Sequence, residues 1–212
     1  MARAFKSTPK GFVAHLEKPE RRLLRTLFND VIQLLEADHS APAAPESDAQ
    51  SEAANDPETA SEADPFWDIV SELGPLEAPA SREAPTDEAM ARLLPPGIHG
   101  DEDAAAEFRA MTEDGVRRAK TADLQRAVAA LQIDPVVLDE QNAVAFSRAL
   151  NDVRLVLSAR LGIDSEEDAE RVHAVDDSSA ATDVDSYMAL LYNFTTWLLE
   201  SLMTALSTRL RD

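Results

Sequence analysis

Cysteine is missing from this chain, and its absence excludes several kinds of chemistry. Without a thiol, the protein has no structural disulfide, no thiolate metal ligand and no thiol-based redox sensor. Glycine is scarce as well, with six residues among 212, and the sequence has no glycine-rich phosphate loop or dinucleotide-binding motif. No nucleophile motif is present, and carboxylates are too abundant for any pair to indicate acid–base catalysis. We therefore expect no catalytic residue and no cofactor, and we expect that the protein is not an enzyme.

Histidine is also rare, and its positions do not suggest a metal site. No two histidines have the spacing at which ligands share one face of a helix. The four residues are His15, His39, His99 and His173. Solvated loops and helix surfaces are the more common locations of such isolated histidines. The sequence therefore predicts no bound metal.

Long hydrophobic runs are few, and only residues 187–206 approach the length of a membrane span. Polar residues interrupt this run every three or four positions and form a stripe along one face of a helix, which is typical of a core helix with one solvated side. The stripe consists of Asn193, Thr196, Glu200, Thr204 and Ser207. The basic N-terminal residues are not followed by an apolar stretch, so no secretory signal is predicted. We expect a soluble, cytoplasmic protein.

Basic residues are half as numerous as acidic ones, with 20 Lys and Arg against 40 Asp and Glu and a formal net charge of −20. Proteins that coat nucleic acid need clustered Lys and Arg to neutralise phosphate, so direct DNA binding is not expected. The imbalance is uneven along the chain. Residues 1–36 contain seven Lys or Arg and four Asp or Glu, whereas residues 37–64 contain eight acids and no Lys or Arg. A local basic face is therefore compatible with the N-terminal end.

Residues 38–64 lack Leu, Ile, Val and aromatic residues. Such a segment cannot bury enough apolar surface to offset the loss of chain entropy, so it is predicted to be a disordered acidic loop. The loop separates two parts of one helical domain, residues 1–37 and residues 65–212. Phe66 and Trp67 follow it, and they either join the core of this domain, which is the more common outcome, or form a docking motif for another protein.

Hydrophobic periodicity predicts a mainly helical domain with about four long and two short helices. These are expected near residues 19–37, 66–73, 88–94, 101–131, 139–161 and 185–210. An acidic connection before the last helix has room for a single turn near residues 166–172. A minor antiparallel sheet is predicted from a hairpin within residues 3–16 and a later strand at residues 136–138. The apolar spacing of the 101–131 helix predicts buried positions at Phe108, Met111, Ala119, Leu124, Val128 and Leu131.

Two clusters of basic residues are candidate partner-binding sites. Arg21, Arg22 and Arg25 lie on the first helix, and Arg117 and Arg118 lie on the 101–131 helix. In an acidic chain such clusters are more often solvated faces with salt bridges, and the functional alternative is a patch that binds an acidic partner. No helix-turn-helix signature places either cluster on a DNA-recognition helix.

A group of polar residues interrupts the apolar pattern of the 139–161 helix. It consists of Asn151, Asp152 and Arg154. We expect Asp152 or Arg154 to pair with a charge on the first helix, such as Asp30 or Arg25. Paired buried charges are usually structural. We therefore predict a structural polar cluster formed by Asp30, Asn151, Asp152 and Arg154.

Residues 149–155 and 160–163, around that polar group, resemble the signature of an actinobacterial family long labelled only as a domain of unknown function. The family is named for AosR-like oxidative stress transcriptional regulators. The order and spacing of several further segments are also similar to the family pattern. These segments are residues 20–25, 64–66, 91–95, 106–109 with 112–113, and 187–206. Together they cover nearly the whole chain apart from the acidic loop.

The resemblance implies a non-enzymatic regulator that works with the transcription machinery through a protein partner, either RNA polymerase or a sigma factor. The family's genes tend to lie beside the gene of the ClpS protease adaptor, which implies an alternative role as an accessory or adaptor protein of Clp-type proteolysis. No catalytic residue belongs to the family pattern. Because this chain has no cysteine, oxidant sensing would require methionine or a partner protein.

Overall fold

The computed structural model describes residues 2–39, 81–175 and 183–209, and these residues form a mainly helical domain with a small sheet. The helices of these three segments are α1 (Lys18–His39), α2 (Glu88–Leu93), α3 (Glu102–Ala130), α4 (Glu140–Arg160), α5 (Glu166–His173) and α6 (Val184–Arg209). The predicted fold class is therefore confirmed. The predicted helix at residues 66–73, with Phe66 and Trp67, lies outside the described residues, as do residues 40–64 of the predicted acidic loop.

The sheet contains β1 (Arg3–Thr8), β2 (Gly11–His15) and β3 (Val136–Leu138) in the order β1-β2-β3, with antiparallel neighbours. The hairpin and the later strand are thus both confirmed. Gly11 has a φ of +119°, and a Cβ atom added there would lie 2.3 Å from the carbonyl oxygen of Leu138. Only glycine allows both the backbone conformation and this close approach of β2 to β3.

Helix α4 lies at the centre of the core and packs against α1, α2, α3 and α6. The Phe146 ring on α4 makes edge contacts with Phe5 of β1 and Phe28 of α1, at centroid distances of 5.7 and 5.6 Å. These contacts attach both the sheet and α1 to the same point of α4. Such edge-to-face geometry is the preferred arrangement of aromatic pairs in protein cores.

Helix α6 is confirmed as a core helix, since Leu198 and Leu202 are fully buried. In the described part of the chain, no helix is long and apolar enough to cross a bilayer. The prediction is wrong for one member of the solvated stripe, since Thr196 is buried and its hydroxyl accepts a hydrogen bond of 2.9 Å from Arg154 on α4. Helix α5 is longer than the single turn expected, and Ser165 and Asp168 form a capping box at its start.

Helices α1 and α3 run antiparallel along one side of the domain. Near one end of the pair, the Arg117 Nη1 atom donates a hydrogen bond of 2.7 Å to the carbonyl oxygen of Leu35. Near the other end, Arg21 of α1 lies 3.9 Å from Asp134, just beyond the end of α3. The start of α1 is therefore next to the end of α3, and the end of α1 is next to the middle of α3.

Helix α3 turns a row of charged side chains toward the protein interior. Arg109, Glu113 and Arg117, which we call the charge ladder, are 8%, 4% and 5% exposed. Glu113 lies 3.3 Å from the Arg109 guanidinium and 2.7 Å from that of Arg117. The Arg109 Nη1 atom also donates a hydrogen bond of 3.1 Å to the carbonyl oxygen of Leu94. The ladder is thus a buried ion-pair network that connects α3 to the segments on both sides of it.

The charge ladder explains why the predicted buried face of α3 is only partly correct. Leu124 and Leu131 are buried and Val128 is half-buried. The prediction is wrong for three exposed residues, namely Phe108, Met111 and Ala119. Residues 109, 113 and 117 are spaced by one helical turn and occupy the inward face that the apolar pattern was expected to provide.

Candidate functional site

The predicted structural polar cluster is divided between two locations. Asp152 forms an ion pair of 2.6 Å with Lys120 on α3. Arg154 donates hydrogen bonds to Thr196 and Tyr192 on α6. The expectation that either residue pairs with the first helix is therefore wrong, and the reason is geometric. Positions two apart on a helix point about 200° away from each other, so the two side chains reach different neighbouring helices.

The remaining members of that predicted cluster, Asp30 and Asn151, are exposed on α1 and α4. The structure therefore does not bring the four predicted residues into one group. Burial raises the pKa of the Asp152 carboxyl, and the charge and hydrogen bond of Lys120 act in the opposite direction. The pair is a structural contact between α3 and α4, which is how paired buried charges usually act.

Arg117 and Arg118, the second basic cluster, differ in their availability to a partner. Arg117 belongs to the charge ladder, and its guanidinium contacts Glu113 and the carbonyl oxygen of Leu35. It is therefore not accessible to a partner. Arg118 is exposed on α3, and its Nε atom donates a hydrogen bond of 3.2 Å to the backbone carbonyl oxygen of Asp114.

The first basic cluster lines a groove of about 450 Å³ between the N-terminal half of α1 and the end of α3. We call it the basic groove. Four of its eight residues are cations and none is a carboxylate. The lining residues are Lys18, Arg21, Arg22, Arg25, Thr26, Asn29, Leu131 and Gln132. In a chain with a net charge of −20, this concentration of positive charge in a concave surface makes the groove the leading candidate for a binding site.

The pattern of α1 explains why the basic residues share one face. Leu24, Phe28 and Leu35 recur at helical spacing and are buried against the core. Lys18, Arg22 and Arg25 lie outside that apolar stripe and are exposed. The same helix therefore packs on the domain with one face and contributes cations to the groove with another.

Glu20 is the acidic residue in the first turn of α1, and it forms no ion pair with a groove cation among the described residues. Its two carboxylate oxygens accept hydrogen bonds from the backbone amides of Ala2 and Glu17, at 2.7 and 2.8 Å. These amides hold the carboxylate at the N-terminal end of the helix, where negative charge is favoured by the helix dipole. In the described residues, no carboxylate lies within 4 Å of the guanidinium of Arg22 or Arg25.

Arg21 carries a buried donor without an acceptor. Its Nε atom is shielded from solvent and has no hydrogen-bond partner in the part of the chain that the structure describes. Its closest carboxylate contact, 3.9 Å to Asp134, is too long for a hydrogen bond. A buried donor without an acceptor costs about 1–3 kcal/mol. The Arg21 guanidinium also lines the groove, and carboxylate and phosphate groups match the paired N–H donors of a guanidinium.

The sequence predicted the three arginines of the groove but not its opposite wall. Leu131 caps the end of α3 and Gln132 follows it, more than one hundred residues further along the chain. Their position depends on the antiparallel packing of α1 and α3, which no local pattern encodes. Spacing alone does indicate one further groove residue, Lys18, because it lies seven positions before Arg25 and so shares its face.

Metal chemistry has no support from the arrangement of side chains. Within residues 2–39, 81–175 and 183–209, no three acidic or histidine residues are grouped so that they could hold a metal ion. The basic groove itself contains only cationic, amide, hydroxyl and aliphatic side chains. It is suited to binding an anionic group through hydrogen bonds and charge.

Comparison with known proteins gives a family but no characterised relative. No curated protein and no solved structure matches the chain. A family model described as a domain of unknown function (DUF2017) matches residues 2–206. That match includes both walls of the basic groove and the whole charge ladder. The chain therefore belongs to the DUF2017 family.

Proposed function

We propose that this protein is a non-enzymatic regulator that binds an acidic segment of a transcription protein, RNA polymerase or a sigma factor, in its basic groove. The observation that carries the proposal is a concave surface with four cations and no carboxylate in a strongly acidic chain. The choice of a transcription partner rests on the resemblance to AosR-like regulators. Arg21 supports an anion contact, because its side chain lines the groove and its Nη2 atom lies 3.9 Å from Asp134, too far for a hydrogen bond.

A short acidic protein segment suits the basic groove better than nucleic acid does. Charges interact over a Debye length of about 8 Å at physiological ionic strength, so a ligand confined to the groove feels mainly the local cations. A DNA duplex is a long rigid polyanion that would extend beyond the groove, and the chain as a whole carries a net charge of −20. Repulsion there would oppose binding.

Charge reversal in the groove tests the proposal. We expect the double substitution Arg22→Glu and Arg25→Glu to reduce partner capture at least tenfold, because two attractive contacts become repulsive. Both side chains are exposed, so the fold should be retained. The measurement is affinity purification of the tagged protein from its own host after nuclease treatment, followed by quantitative mass spectrometry. RNA polymerase or a sigma factor should be enriched with the unmodified protein.

The matched control is Lys6→Glu with Lys10→Glu in the β1–β2 hairpin. Each Lys→Glu or Arg→Glu replacement changes the net charge by −2, so both double variants change it by −4. Lys6 and Lys10 are exposed and do not line the basic groove, and capture by this control should be unchanged. If the Arg22→Glu with Arg25→Glu variant captures as much partner as the unmodified protein, the proposed site is contradicted. Enrichment of Clp components without transcription proteins would contradict the proposed partner.

A further inference from the structure

A second concave surface lies along the same pair of helices as the basic groove. Its volume is about 420 Å³, and it is formed by the C-terminal part of α1 and the middle of α3. Its lining residues are Leu35, Glu36, Asp114, Arg117, Arg118, Thr121, Ala122 and Gln125. The antiparallel packing of α1 and α3 places the two concave surfaces at opposite ends of one seam.

Helical phase shows that both surfaces open on the same side of the seam. On α1, Lys18 of the basic groove and Glu36 of the second surface are 18 residues apart, which is five full turns of 3.6 residues. On α3, Arg118 and Gln125 of the second surface are seven residues apart and therefore share a face, and Leu131 of the basic groove is the cap residue at the end of the same helix. From residue 118 to this cap residue the helix rises about 20 Å, at 1.5 Å per residue.

Between the two ends, α3 exposes Ala122, Gln125 and Ala129, which are small or neutral, together with Arg126, which lies 3.8 Å from Asp123. Ile32 and Val128 are half-buried and pack against the core in the same region of α1 and α3. An amphipathic helix docks through such a surface when apolar residues meet apolar ones and charges meet at one end.

The two ends differ in charge. The basic groove has four cations without a carboxylate, whereas the second surface carries the exposed Arg118 together with the carboxylates of Glu36 and Asp114 and adds the aliphatic Ala122. From this asymmetry we infer that α1 and α3 form one continuous docking groove for an amphipathic helix of about fourteen residues from the partner protein. Its acidic half contacts the basic groove, and its apolar half lies against Ala122. This inference rests on the proposed function and specifies the shape and charge order of its ligand.

Two synthetic probes separate the inference from the proposed function. One is a fifteen-residue helical peptide with glutamates in its N-terminal half and leucines along one face of its C-terminal half. The other is hexaglutamate, which matches the acidic half of that peptide and has no apolar half. We expect the long peptide to bind the full-length protein at least tenfold more tightly, because it also buries apolar surface. Fluorescence anisotropy at physiological salt measures both affinities.

Variants at the two ends of the seam provide the decisive comparison. Ala122→Glu places bulk and negative charge on the second surface and should reduce binding of the long peptide to the level of hexaglutamate. Its matched control, Ala119→Glu, adds the same charge at an exposed position of α3 that lines neither surface, and it should have no effect. The double substitution Arg22→Glu and Arg25→Glu should lower the affinity for both probes at least tenfold.

Each result has a distinct meaning. Equal affinity of the two probes with no effect of Ala122→Glu would overturn the continuous groove but leave the proposed function standing. If neither probe binds and the Arg22→Glu with Arg25→Glu variant captures its partner as well as the unmodified protein does, both the continuous groove and the proposed function are overturned. Tighter binding of a fifteen-nucleotide single strand than of either peptide would overturn both as well, since it would identify a nucleic-acid ligand.

Discussion

Replacing Glu113 with Gln is expected to lower the free energy of unfolding by about 3–5 kcal/mol, the cost of breaking a buried ion pair. Glu113 is 4% exposed and its carboxylate contacts the guanidinium groups of Arg109 and Arg117. Glutamine has nearly the same volume and can still accept a hydrogen bond, but it cannot balance two buried positive charges. The loss should therefore come from the unpaired arginines and not from a cavity.

Glu107→Gln is the matched control for this prediction. Glu107 lies on the same helix and undergoes the same chemical change, but it is exposed. Surface substitutions of this kind usually change stability by no more than about 0.5 kcal/mol. Urea unfolding followed by circular dichroism measures both variants. A loss below about 1 kcal/mol for Glu113→Gln would show that the ladder is a weak, solvated contact of the kind found on protein surfaces.

Replacing Lys120 with Met is expected to destabilise the protein by about 3 kcal/mol at pH 8, because it leaves the Asp152 carboxylate buried without its partner. Burial raises the pKa of Asp152, and the Lys120 charge and hydrogen bond, which oppose that rise, would be lost. The pKa of Asp152 in the folded variant should therefore rise further, while in the unfolded chain it stays at its usual value.

The pH dependence follows from this difference in pKa. In the folded Lys120→Met variant, Asp152 takes up a proton at a higher pH than in the unfolded chain, and protonation removes the unpaired charge. The destabilisation relative to the unmodified protein should be largest above the raised pKa and should shrink as the pH falls toward the usual range of a carboxyl. Unfolding of both proteins in urea at pH 8 and pH 5 measures this difference in stability. Adding Asp152→Asn should remove most of the pH dependence, and a constant loss at both pH values would contradict the mechanism.

The parts of the fold that the sequence predicts are those determined by local chemistry. Helix α2 begins after Asp87, whose side chain accepts a hydrogen bond from the amide of Met90, and α4 begins in the same way after Asp139. Such caps and turn residues act within three or four positions. The hairpin is predicted for the same reason, because Gly11 supplies a backbone conformation that other residues avoid.

The errors arise where long-range contacts override the local pattern. The general preference for apolar residues in the interior led to the assignment of Phe108 to the core in place of the charge ladder. The spacing of Arg109, Glu113 and Arg117 was a usable signal, since opposite charges four residues apart on a helix form pairs. The wall of the basic groove that Leu131 provides had no such signal, because it depends on how α1 and α3 pack.

The charge ladder also anchors two positions that are far apart in the sequence. Arg117 of the ladder binds the carbonyl oxygen of Leu35, and the Nε atom of Arg82 lies 3.5 Å from Glu113. Leu35 and Arg82, which are 47 positions apart in the sequence, are therefore both anchored to the same part of α3. Doubling the length of a connection whose ends are already held together costs only about 0.6 kcal/mol. We therefore expect a change in the number of residues between positions 35 and 82 to leave the helices that form the groove in their places.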